Sequence, residues 1–250
     1  VDEVSMIGAK LHRFLLMCKE NGAELHLFGD YNQLPPVDDI RIDTSSRYLK
    51  WLTDNVQIKY DKCYRTDLKF AMIQQRVASG ILPDDFYDDK KVVKTSIVYR
   101  HVVRNSVNKS MAKLYGDKGD VGSRIVLKCK YDGLNNNDIF EVVDNKTNLV
   151  LKYKFDNNQV DTVTIDESKK EDFLDRCWLG YALTCYMVQG GEIDEPFRIY
   201  EWDYSREHAF TAISRATKRE YPIIAGHERP EIEEVEDCDM SAFMDECESQ

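Results

Sequence analysis

The chain has 250 residues, enough for one large or two small domains with cores of their own. With 42% hydrophobic and 32% charged residues it has the ordinary composition of a soluble globular protein, and no apolar run approaches the ~20 residues a membrane helix needs. The net charge of −11 argues at first against a polyanionic partner, but nine of those excess negative charges lie in Glu228–Gln250, whereas Lys90–Lys118 holds eight Lys or Arg against one Asp.

In chain order, residues 5–21 read as an amphipathic helix. Ser5 is its cap, Ile7, Leu11, Phe14, Leu15 and Cys18 form its stripe, and Gly22 stops it. A short apolar strand follows, Glu24 to Phe28, and runs into Gly29-Asp30 and an extended loop at Pro35-Pro36. Val56 to Tyr60 alternates like a strand, Leu68 to Ser79 is helical with Phe70, Ile73 and Val77 on one face, Thr95 to Tyr99 is a strand, and Asn105 to Tyr115 is a helix capped by Asn105 and ended by Gly116. Between Asp120 and Ile165 the texture changes to short alternating runs (124–130, 139–143, 149–155, 160–165) separated by turn residues. These predict a small antiparallel barrel or meander inserted in an α/β unit. Helix and strand then resume through 180–184, 197–202, 207–217 and 221–225, and the acidic end from Glu228 has the composition of a disordered segment.

The seven cysteines include no close CxxC pair, and the N-terminus Val1-Asp2-Glu3 is not a basic-then-apolar leader. Free thiols in a reducing intracellular compartment, nucleus or cytoplasm, fit better than a zinc site or a secreted disulfide framework. The missing initiator Met points to a fragment.

Four clusters could carry chemistry. Asp2-Glu3 precedes a helix; paired carboxylates there can hold magnesium and take a proton from attacking water in phosphoryl transfer, although most such pairs are solvated surface. Gly29-Asp30-Tyr31-Asn32-Gln33-Leu34-Pro35-Pro36-Val37 ends a strand, where open parallel sheets bind ligands, and Gln33 could sense a γ-phosphate; alone it reads equally as a polar turn closed by prolines. Cys63-Tyr64-Arg65-Thr66 and the pair YALTCYMVQGG (181–191) and FTAISRA (210–216) supply Arg65 and Arg215, candidate arginine fingers or ordinary ion-pair partners.

In this order, DEVSM, GDYNQLPPV, YRT, TCYMVQGG and AISRA resemble the successive motifs of superfamily 1 DNA helicases, and most closely the RecD-like branch, over roughly residues 1–225. The resemblance implies an α/β fold of RecA-like parallel sheets with a small inserted antiparallel β-barrel. Residues 1–56 would be the C-terminal part of a first RecA-like domain, 57–119 with 166–227 the second, 120–165 the insert, and 228–250 an acidic tail. It implies ATP and Mg²⁺ as cofactors: Asp2 would hold the metal, Glu3 would be the catalytic base, Gln33 would couple the γ-phosphate to the DNA track, and Arg65 and Arg215 would reach the γ-phosphate. Gln189 and Gly190 would lie near the nucleotide, and Thr184 with Tyr186 on the single-stranded DNA. Tyr186 stands where the family commonly has His, and Met187-Val188 where it often has Lys-Ser.

No GxxxxGK[ST] phosphate loop occurs in the chain, and the resemblance places that loop upstream of Val1. Three readings follow. The first is a fragment of an ATP-dependent helicase that acts on single-stranded DNA and duplex junctions, inactive without the upstream loop, with a protein partner for the acidic tail and no membrane. The second is a non-catalytic nucleic-acid- or protein-binding module. The third is a nucleotide hydrolase unrelated to nucleic acid. The Asn-, Lys-, Tyr- and Asp-rich texture would suit a large DNA virus or a low-GC genome.

Overall fold

The computed structural model describes residues 1–37, 39–42, 44–60, 64–81, 86, 91–154 and 160–225. The acidic tail, Cys63, Cys238 and Cys247 lie outside the described residues. The chain divides into two compact units, one formed by Val1–Asp84 with Trp202–Arg219, the other by Asp85–Glu201 with Glu220–Gln250.

The first unit is helical among its described residues: α1 (Ala9–Glu20), α2 (Arg47–Leu52), α3 (Leu68–Ala78) and α6 (Arg206–Ile213), with α3 packed on α6. Val4, Ile7, Leu15, Leu49 and Leu52 form a core cluster. Helix α3 lies where the sequence predicts it: Asp67 caps it by accepting the Phe70 N–H at 2.9 Å, and Phe70 and Val77 are buried. Helix α1 departs from expectation. It starts at Ala9, and Ser5 is buried in a 3₁₀ turn (Val4–Met6) instead of capping it. The Asp39 carboxylate takes the Lys10 N–H at 3.3 Å in its place. The buried face carries His12 and Leu15, while Leu11 and Phe14 of the expected stripe are exposed. Residues 24–28 and 56–60 are not strands; Phe28 donates to the Val1 carbonyl and accepts from the Val4 N–H at 2.9 and 2.8 Å.

The second unit holds a four-stranded parallel sheet in the order β7-β1-β8-β9, with β1 Thr95–Val98, β7 Ala182–Thr184, β8 Phe197–Ile199 and β9 Pro222–Ile224. Helix α4 (His101–Tyr115) packs Val103, Val107 and Met111 against Val98, Tyr181 and Ala182. It begins four residues before the expected cap Asn105, because the Glu201 carboxylate accepts the N–H groups of Tyr99 and Arg100 at 2.9 Å each and marks its positive end. Gly116, at φ +100°, ends it as expected.

Between α4 and β7 the chain makes a five-stranded antiparallel sheet, β5-β4-β3-β2-β6. Its strands are β2 (Arg124–Leu127), β3 (Ile139–Asp144), β4 (Leu149–Lys154), β5 (Val160–Ile165) and β6 (Cys177–Leu179), with α5 (Lys170–Asp175) before β6. Ile125, Leu127, Phe140, Val142, Leu149, Leu151 and Phe173 fill one core beneath it. The expected barrel is corrected to an open sheet: β5 and β6 are its two edges and do not pair among the described residues. Sequence reading missed β6 and α5, each too short to show a period.

Candidate functional site

Of the nine singled-out residues, Asp2, Glu3, Gln33, Arg65 and Arg215 belong to the first unit and Thr184, Tyr186, Gln189 and Gly190 to the second. In the first unit, Asp2 and Glu3 lie on a tight turn. Glu3 sits in the left-handed region at φ 52°, ψ 40°, and its N–H donates to the Asp2 carboxylate at 2.9 Å. Gly29 packs on the next residues: a Cβ there would stand 2.9 Å from Val4 Cγ1 and 3.0 Å from the Val4 and Ser5 nitrogens. Glycine is therefore required for close approach, and through it the Gly29–Val37 motif lies against Val4 and Ser5, the residues that follow the acidic pair.

The motif loop is ordered by its own polar groups. One Asp30 carboxylate oxygen accepts from the Asn32 backbone and side-chain amides at 2.9 and 3.0 Å, and the Asp30 carbonyl accepts the Gln33 N–H at 3.0 Å. Leu34 is fully buried and anchors it. Arg41, which sequence reading missed, spans the loop: its guanidinium donates to the Tyr31 and Gln33 carbonyls at 3.3 and 3.5 Å, lies over the Tyr31 ring at 5.8 Å and stands 4.0 Å from Glu207 of α6. No motif could have flagged it, because its partners are backbone carbonyls and a carboxylate distant in sequence.

Arg65 and Arg215 meet at Ser214. Arg65, exposed, donates to the Ser214 carbonyl at 3.2 Å. Arg215, 2% exposed, donates to the Ser214 hydroxyl at 2.9 Å and to the Thr211 carbonyl at 3.1 Å. The last turn of α6 thus gathers both arginines that the sequence singles out.

In the second unit, Thr184 ends β7, buried and in register with Val98 of β1. Its carbonyl accepts the N–H groups of Met187 and Val188 at 2.9 and 3.3 Å, turning the chain sharply. That turn sets the Tyr186 ring 6.4 Å from Tyr99, so two aromatics stand together at the carboxyl ends of β7 and β1. Gln189 is half-buried and Gly190, at φ +82°, lets the loop reverse.

Among the described residues no three His, Cys, Asp or Glu side chains are placed to cage a metal. Two neighbouring carboxylates instead suit a magnesium ion held largely through water and completed by phosphate oxygens. No helix among the described residues is long and apolar enough to cross a membrane.

No protein-family profile and no curated protein sequence matches the chain. Solved structures do. The Pif1 helicase from Candida albicans aligns with 99% of this chain and 75% of its own, at 18% identity and a TM-score of 0.66. The Pif1 helicase from Bacteroides in complex with ADP-AlF3 and single-stranded DNA aligns with 100% and 75%, at 16% identity and a TM-score of 0.57. A structure of two coordinating Pif1 helicases at forked duplex DNA aligns with 89% and 67%, at 18% identity and a TM-score of 0.55. At these identities the likeness is one of fold: a parallel α/β sheet with an added antiparallel sheet, as in the RecA-like domains of helicases.

Proposed function

We propose that this chain carries the hydrolytic and coupling residues of an ATP-dependent DNA helicase of superfamily 1, acting on single-stranded DNA and duplex junctions. The observation that carries the reading is the convergence of Arg65 and Arg215 on Ser214, within the unit that also holds Asp2 and Glu3. The Pif1 fold, seen in proteins crystallised with ADP-AlF3 and single-stranded DNA, supports it. The long form of the Gly29–Val37 motif favours the RecD-like branch.

In this reading Asp2 would hold the Mg²⁺ that accompanies the nucleotide, and Glu3 would accept the proton of the attacking water. Arg65 and Arg215 direct positive charge at the γ-phosphoryl group as its bond to the leaving oxygen loosens. Bound magnesium would neutralise phosphate charge. Gln33, whose backbone Arg41 holds, reports the state of the γ-phosphate to the loop. Gln189 and Gly190 complete the nucleotide side, and Thr184 and Tyr186 hold the DNA strand, the tyrosine ring offering a stacking face. Domain closure on nucleotide and reopening after hydrolysis would move these DNA contacts in turn.

Arg65 gives the cleaner test because it is exposed, whereas truncating buried Arg215 strips partners from Thr211 and Ser214. In the protein extended upstream of Val1 to include a phosphate loop, Arg65→Ala lowers the ATP turnover number by about 10³-fold, with melting temperature unchanged. Unaltered turnover in that variant would remove the finger role. Retained DNA binding with no ATP hydrolysis in the unmutated protein would leave the non-catalytic module as the answer.

A further inference from the structure

The basic stretch 90–118 is largely unused by the proposed site. Its helix, α4, borders a groove of about 520 Å³ lined by Asn105, Lys109, Lys113, Asp117 and Trp178. Asn108 fixes where this groove lies. Its side chain bonds the Tyr181 and Ala182 backbone, so mid-helix is level with the start of β7, and residues 109–117 run beyond it. Thr184, Tyr186 and Tyr99 are at the opposite, carboxyl ends of β7 and β1. The groove is therefore separate from the strand contacts of the proposed site.

Trp178, which lines the groove, is itself flanked by cations. Arg104, 5% exposed, stacks on the Trp178 ring at 4.2 Å, and the Lys128 ammonium lies 5.7 Å from the same ring. Among the described residues no carboxylate pairs with Arg104, and its Nη1 has no hydrogen-bond partner. A buried guanidinium held by an aromatic ring and one amide oxygen leaves its charge uncompensated, which is costly unless an anion comes near. Lys128 is pushed below its usual range by burial first and then by Lys118, with Asp175 opposing. Lys109 and Lys113, both exposed, stand one helical turn apart along the groove, and Asp117 is the one acid lining it among the described residues.

We propose that this groove is a second nucleic-acid contact, taking the phosphodiester backbone of a strand along Lys109 and Lys113, with Asn105 as a further donor. A nucleic acid fits better than a small anion because the cations are spread along the helix, not gathered at a point. The contact reads no bases and works by release of counterions. It rests on the proposed function for its ligand class, and the test separates the two.

The test measures binding of a fluorescein-labelled oligothymidylate to the whole chain by anisotropy across a salt series. Lys109→Ala with Lys113→Ala, both at exposed positions, lowers the magnitude of the log Kd against log salt slope by about 1.4, two single-strand phosphate contacts at about 0.7 each. Tyr186→Ala weakens binding at a fixed salt concentration while leaving that slope in place. An unchanged slope in the double variant, with the unmutated chain still binding, overturns the groove and leaves the helicase reading standing. No binding by the unmutated chain counts against both. Capture of a synthetic Glu228–Gln250 peptide by the unmutated chain and not by the double variant, with the oligothymidylate slope unchanged, would make the groove an acidic-peptide site and overturn the proposal.

Discussion

Gly29 and His12 show how single residues set the conditions for the candidate site. Gly29 is read from sequence as the end of a strand, but its requirement comes from elsewhere: only the absence of a Cβ lets the motif loop lie against Val4 and Ser5. Gly29→Ala must displace backbone, so it should cost about 1–3 kcal/mol, seen as a lower urea midpoint. His12 was invisible as a core residue because a helix stripe is read from apolar positions. It is 1% exposed, its ring meets Tyr48 edge-on at 5.7 Å, and neither ring nitrogen has a hydrogen-bond partner. Burial lowers its pKa, and the Asp39 carboxylate partly opposes this. Since the folded value lies below the unfolded value of 6.5, the stability His12 contributes is whole above pH 6.5 and is lost as the pH falls through the folded value. Urea midpoints at pH 7 and pH 5 should therefore differ more for this chain than for His12→Leu. Thiol chemistry gives a third check: burial pushes Cys177 up to about 12, so an alkylating reagent should modify half-buried Cys18 and Cys129 long before Cys177.

At the scale of elements, the sequence reading succeeds where the signal is local and fails where it is supplied from afar. Helix α3 carries its own cap, Asp67, and its own stripe, of which Phe70 and Val77 are buried as the sequence predicts. Helices α1 and α4 receive their carboxylates from Asp39 and Glu201, about 30 and 100 residues away along the chain, so no pattern near their starts could mark the true boundary. Glu201→Gln keeps the shape and removes the charge; it should lower stability by about 1 kcal/mol, measurable in the urea midpoint and weaker at high salt. Asn108 does comparable work for β7. As the edge of the parallel sheet, β7 would leave backbone groups unpaired, and Asn108 accepts the Tyr181 and Ala182 N–H groups at 3.0 and 2.8 Å while donating to the Ala182 carbonyl at 3.2 Å. Asn108→Leu leaves those groups buried without partners and should cost about 2–4 kcal/mol. The strands of the antiparallel sheet were legible because alternation and turn residues are local; its open edge was not, because closure depends on which distant strands meet.

For the whole molecule, the order of the motifs carried more than any one of them. Asp2-Glu3 alone is an acidic pair, and Arg65 alone is a surface arginine. The structure sets Val4 and Ser5, next to the pair, against Gly29 and brings both arginines to Ser214, an arrangement no spacing rule contains, since Arg65 and Ser214 are 149 residues apart. The second unit adds Tyr99 and Tyr186 at the strand ends of a parallel sheet. The central claim is that nucleotide hydrolysis and strand binding are coupled through these residues. The most direct measurement is ATP hydrolysis by the protein extended upstream to include a phosphate loop, with and without saturating single-stranded DNA. The account predicts that DNA raises the rate at least tenfold, and that Arg65→Ala abolishes the DNA-stimulated rate while the DNA affinity persists. A rate indifferent to DNA, or full stimulation in the Arg65→Ala protein, would contradict it.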